Sequence, residues 1–366
     1  MNKYLVPIII YFCFVTLYLG LSIISGKDTL FQPLWDIRQY VNISEQGYQV
    51  YPCTPGVEYP QGRICGNPGW HPFWPIVAAA IRPLLGGSSR LTFILLPYLF
   101  SFLFFLMLFR FVEIHYNRNA ATVALLAIAF GPGSFYLITG FPYALFMLLF
   151  ISYLFLLYGS SGIKREIGLF ALGWAISLTY PTGILLAILP SAWYIFSGND
   201  YRASPKTMTF WLQLIKYAIP FILGPLLLWG YFYFRFDDFL LQFHFQEKFN
   251  RLNWANPLVA IGGSLTKYSL FSPENAVLLW YGLIFLLFIS NRMRKEFWIL
   301  ALAFYLFSPA TGTTMSIYRH YLIILPSYIM IGTSSRPLWL KLAFIAAGLF
   351  LAIKTLFPLY ISYRLI

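Results

Sequence analysis

Long stretches without one charged side chain restrict this chain more than any motif does. Residues 4–24 and 119–163 carry no Asp, Glu, Lys or Arg at all. A helix needs about 20 consecutive apolar residues to cross a bilayer. The composition follows from these runs: 59% of residues are hydrophobic and 10% are charged, against roughly 25% charged in a soluble domain. A soluble fold of this size cannot bury that much apolar surface. A cytosolic enzyme, a disordered chain and a secreted disulfide scaffold are therefore excluded. The runs are continuous rather than alternating, which also excludes a membrane β-barrel.

The expected fold class is an all-α polytopic membrane protein with about eleven transmembrane helices. Apolar runs place them near 4–24, 91–112, 119–138, 141–158, 167–180, 182–197, 210–235, 276–290, 297–308, 318–333 and 337–358. The first run follows Lys3 without a small-residue cleavage site, so it is read as a retained helix. Residues 1–366 form a single integral membrane domain with two long external loops, about 25–90 and 236–275. Neither an internal repeat nor a soluble domain is evident.

Basic residues set the orientation. With the N-terminus inside, every short cytoplasmic turn is basic: Arg110 with Arg118, Lys164 with Arg165, Arg202 with Lys206, Arg292 with Arg294 and Lys295, then Arg336. Short external turns at 138–141, 180–182 and 308–317 hold no Lys or Arg, as the positive-inside rule requires. The net charge of +13 is thus assigned to an anionic leaflet rather than to nucleic acid. Residues 70–85 are apolar but short and hold three prolines and an arginine. Counting them as a span would invert every later turn, so they are read as interfacial or re-entrant. Cys53 and Cys65 bracket a Pro/Gly-rich stretch in the first external loop. They are expected to form a disulfide, the alternative being two unrelated thiols.

Polar residues cluster on the external face. Asp36, just beyond the first span, is placed among aromatics where a carboxylate can act as a general base. The alternative is that it caps a short helix or pairs with Arg38. Trp35, Asp36, Tyr40, Ile43, Gly47 and Tyr48 stand in the register Trp-Asp-x-x-x-Tyr-x-x-Ile-x-x-x-Gly-Tyr. This resembles the signature after the first helix of the GPI mannosyltransferase II (PIG-V)-like family, multi-spanning glycosyltransferases of the GT-C class. Further elements are similar in the same order: His71 through Pro75, Pro142-Tyr143 with Leu145-Phe146, Leu178 through Gly183, and Arg319-His320-Tyr321 through Pro326. The chain departs from the family pattern in three places. The Ser-Glu after Pro142-Tyr143 is missing, Tyr180 stands where the turn arginine belongs, and His320 replaces a tyrosine. All the matched elements fall at helix ends assigned to the outside on charge alone.

The resemblance implies transfer of a hexose, mannose first, from a polyprenyl-phosphate sugar to a lipid- or glycan-linked acceptor. Asp36 would be the base, with inversion at the anomeric carbon. Arg319 is the first choice for the leaving phosphate, followed by His320, Arg38 and His71. Arg319 as a snorkelling helix-end residue and the histidines as interfacial hydrogen-bonders are the plain alternatives. Trp35, Tyr40, Tyr143 and Tyr180 would line the sugar. Arg82 and Arg90 would hold lipid phosphate or anchor at headgroups. In the second loop Asp237, Asp238, His244, Glu247 and Arg251 read as a solvated charge cluster. No Cys/His set has zinc spacing, so no metal or other cofactor is expected beyond the lipid-linked donor. A transporter or lipid flippase, or another membrane glycan transferase, are the competing readings. Ionisable residues at the bilayer midplane, usual in transporters, are scarce here. The membrane expected is a prokaryotic plasma membrane.

Overall fold

The computed structural model describes residues 4–26, 30, 36–53, 64–159, 161–196, 207–250, 254–289, 293–314 and 316–362, and at 64 and 248–250 the backbone alone. Trp35, Arg202, Lys206, Arg251 and Arg292 lie outside the described residues.

Helix α1 (Leu5–Ile24) is followed by the first long loop. That loop holds α2 (Asp36–Gln46), strands β1 (Val50–Pro52) and β2 (Ile64–Gly66), and α3 (Phe73–Ile81) with a 3-10 turn to Leu85. Next come α4 (Ser89–His115), α5 (Arg118–Ala129), a 3-10 turn at Ser134–Ile138, α6 (Tyr143–Leu157) and α7 (Ile163–Thr179). A 3-10 stretch, Pro181–Ala187, leads into α8 (Ile188–Phe196) and α9 (Met208–Phe236). The second loop contains α10 (Leu241–Asn250) and α11 (Pro257–Lys267). Then follow α12 (Pro273–Leu287), α13 (Lys295–Ala310), α14 (Ile317–Tyr321), α15 (Leu325–Thr333), α16 (Leu338–Leu351), a π turn, and α17 (Phe357–Ile361). The protein is an all-α polytopic membrane protein whose described sheet is one two-stranded ribbon.

Each of the eleven expected segments carries a helix. Among the described residues four are long and apolar enough to cross a bilayer alone: Leu5–Ile24, Ser89–His115, Met208–Phe236 and Leu338–Ile361. The others are shorter because glycine and proline interrupt them. The run expected at 318–333 breaks at Leu322–Ile324, with Pro326 starting the second piece. A freed backbone at bilayer depth is tolerated where protein surrounds it, and Leu322, Ile323 and Ile324 are fully buried.

Small residues let the helices close up. A Cβ on Gly332 of α15 would lie 2.4 Å from the Ala120 carbonyl of α5. On Gly224 of α9 it would lie 2.2 Å from Ser177 Oγ of α7. Such approach is the usual source of helix association where no water drives burial. Two tyrosines of the bundle place their hydroxyls on internal partners, Tyr11 on the Tyr98 carbonyl and Tyr18 on Ser134.

The described part of the first long loop is packed together. Strands β1 and β2 pair antiparallel, Tyr51 opposite Cys65, and Cys53 and Cys65 are joined by a disulfide. Asn67, buried, accepts from the Gln49 amide at 2.7 Å and donates to the Gly47 carbonyl. Tyr48 donates to the Trp70 carbonyl at 2.6 Å.

Candidate active site

Helix α2 brings Asp36 in. Its buried side chains are Ile37, Tyr40 and Ile43, a 3-residue recurrence that gives one apolar face. Arg38 and Glu45 are exposed on the same helix. Ile37 can seat only because residue 140 is glycine: a Cβ there would lie 2.8 Å from Ile37 Cγ2 and 3.1 Å from the Phe93 carbonyl. The Gly140 carbonyl also accepts from Trp74 Nε1 at 2.9 Å, so α2 and α3 are pinned to one turn.

Arg319 arrives on α14. The turn before the Ser134–Ile138 segment passes against it at Gly133, with φ +78°, where a Cβ would lie 2.7 Å from the Tyr318 carbonyl. Helix α14 opens at Ser316, a non-glycine residue at φ 60°. Such left-handed residues cost roughly 1–3 kcal/mol and persist where the surroundings fix them.

These two approaches produce one contact. Arg319 Nη1 donates to Asp36 Oδ2 at 2.5 Å, across 283 residues of sequence. The pair is partly open, with side-chain exposures of 17% and 23%. Arg319 also lies 5.9 Å above the Phe141 ring, and its Nε is buried without a protein partner.

An aromatic wall completes the site. Tyr143 and Tyr180 hydroxyls lie 3.2 Å apart, and Tyr180 is bonded to His320 Nδ1 at 2.6 Å. Tyr40 is buried beside them and raised well above its ordinary value by burial and then by the Asp36 charge.

The remaining expected residues sit apart. His71 is buried and neutral, lowered to about 4 by burial. It donates from Nδ1 to the Ser177 carbonyl at 2.8 Å and is also bonded to Gln242, whose Oε1 accepts from Trp229. Its hydrogen bonds tie the first long loop to α7 and α10. Arg38 is exposed on α2. Arg82 bonds Ser89 at 3.2 Å. In the second loop, His244 pairs with Asp238 at 2.8 Å on an exposed surface. No group of three or more potential metal ligands occurs among the described residues. Sequence reasoning missed Gly133, Gly140, Phe141, Tyr136 and Ser316. Gly-Pro-Gly at 131–133 and Gly-Phe-Pro at 140–142 are turn signals that point to the first three.

No protein-family model matches the chain, and no curated protein matches it. Among solved structures it is similar to an oligosaccharyltransferase of Archaeoglobus fulgidus. The apo form gives 15% identity and a TM-score of 0.48, covering 99% of this chain and 56% of that one. The AglB complex with an inhibitory peptide and a dolichol-phosphate gives 13% and 0.49, with the same coverage. The complex with Zn and sulfate gives 14% and 0.46, covering 98% and 53%. The chain thus spans about half the length of these proteins, and no residue role carries across at this distance.

Proposed function

We propose that the protein is a membrane glycosyltransferase of GT-C type, moving a hexose from a polyprenyl-phosphate sugar to a lipid- or glycan-linked acceptor at the outer surface. Mannose is the donor sugar that the resemblance at Trp35–Tyr48 favours. The observation that carries the reading is the contact between Asp36 and Arg319, residues from opposite ends of the chain that meet in a half-open, tyrosine-lined site.

In the reaction the acceptor oxygen attacks the anomeric carbon while the bond from that carbon to the phosphate oxygen breaks. The electron pair leaves with the phosphate, the acceptor proton goes to Asp36, and the configuration inverts. An arginine bound to a carboxylate weakens it as a base, so the pairing matters. The donor is a phosphodiester with one negative charge, and the departing monoester gains another as Asp36 loses its own. A guanidinium within reach of both groups sees the charge move from one side to the other. Arg319 has a fork suited to both oxyanions, and its Nε lacks a protein partner. A base of this kind contributes typically 10²–10⁴-fold, and a preorganised cation at a developing oxyanion about as much.

The test is mass spectrometry of glycolipids after incubating the purified protein in vesicles with polyprenyl-phosphate mannose, polyprenyl-phosphate glucose and bacterial lipid acceptors. Addition of one hexose to an acceptor, with loss of the donor, is the expected result. A donor moved between leaflets with no sugar transferred would instead identify a flippase.

A further inference from the structure

A cavity of about 1030 Å³ lies along α5 from Asn117 to Leu126, bounded by the C-terminus of α15 and the start of α16. It shares no residue with the Asp36 site.

Its wall is cationic. Arg294, Arg336, Lys341 and His115 line it, and no Asp or Glu is among the described lining residues. Each arginine is held in place. Arg336 Nε donates to the Leu287 carbonyl at 2.7 Å. The Arg294 guanidinium stacks 4.3 Å over Tyr158. Glu296, which accepts from Tyr158 at 2.7 Å, forms a long ion pair with Arg294 at 4.0 Å. Lys341 is 7% exposed, its ammonium bonded to the Gly332 and Ser334 carbonyls at the end of α15. At the head of α5, Asn117 and Asn119 add polar groups where the helix dipole favours an anion.

Apolar side chains complete the lining: Val123 and Leu126 from α5, and Leu338 and Leu342 from α16. The two α16 leucines are 58% and 42% exposed, and α16 belongs to a segment long enough to span the bilayer. A pocket that combines fixed cations with exposed leucines suits a phosphate head with an acyl tail.

We propose that this cavity binds a phosphate-bearing anion, separately from the chemistry at Asp36. The test uses the purified full chain in a neutral maltoside detergent, read by native mass spectrometry. Phosphatidylglycerol and phosphatidylcholine are titrated in parallel, and then inorganic phosphate alone. The double variant Arg294→Gln/Arg336→Gln and the control Arg110→Gln are compared, each checked for wild-type elution and melting. Saturable phosphatidylglycerol binding, at least about tenfold weaker in the double variant and unchanged in the control, supports the site with a lipid as the source. Inorganic phosphate bound at the same residues, with no lipid preference, supports it with a free anion as the source. Equal binding of both lipids without phosphate binding, or anion binding that the double variant leaves intact, overturns it.

Discussion

At the scale of single residues, the site rests on a charge pair that is largely covered. In a pair this far withdrawn from water, desolvation offsets most of the attraction, so Asp36 and Arg319 are poorly explained as a structural staple. Their value lies in what the pair does when a second anion arrives. Replacing Arg319→Lys keeps the charge but loses the fork. The substitution is expected to lower transfer by about 10²-fold, mainly in kcat, with donor KM little changed. Steady-state kinetics on the purified variant would check this, and a purely KM effect would assign Arg319 to ground-state binding alone. Asp36 and Arg319 were legible in the sequence because each stands in a motif at the end of an apolar run. Their contact was not, because nothing local encodes a pairing across 283 residues.

At the scale of elements, two glycines decide whether the site assembles. Gly133 combines a left-handed φ with 2.7 Å clearance to Tyr318. Gly133→Ala is expected to cost about 1–3 kcal/mol and to lower activity by displacing α14. Gly262→Ala is the control: nothing lies within 4 Å of a Cβ there, and mid-helix alanine is expected to stabilise by up to about 1 kcal/mol. Thermal melting with activity read alongside separates the two. Apolar runs gave the helices, since hydropathy reports burial in lipid directly. Helices α10 and α11 were hidden in what reads as a polar loop. LQFHFQEKFN mixes aromatic and charged residues, and PLVAIGGSLTK carries two adjacent glycines. The Asn256 cap before Pro257 was nonetheless a readable start signal. The break inside 318–333 follows from Pro326, whose missing N–H suits a first turn and not a helix interior.

At the scale of the whole molecule, the bundle holds two unlike sites. One gathers Asp36, Tyr143, Tyr180 and Arg319, while the other carries Arg294, Arg336 and Lys341. The first long loop is bound to the bundle through His71, whose pKa is pushed down by burial to about 4 from an ordinary 6.5. Between those values the unfolded chain binds the extra proton and the folded protein does not. Stability from this group is complete above about pH 6.5 and is lost as the pH falls toward 4, by about 3 kcal/mol in all. Thermal inactivation measured from pH 7 to pH 4.5 should steepen in that window. His71→Asn, which keeps a donor for the Ser177 carbonyl, should flatten the slope. An unchanged slope would mean that His71 is not neutral in the folded protein.

The central claim is that Asp36 takes the acceptor proton, and the rate of hexose transfer by purified Asp36→Asn tests it most directly. The amide keeps the shape and removes the base. The account predicts a fall in kcat of about 10²–10⁴-fold, with wild-type insertion and melting. Transfer at the wild-type rate by that variant would contradict it.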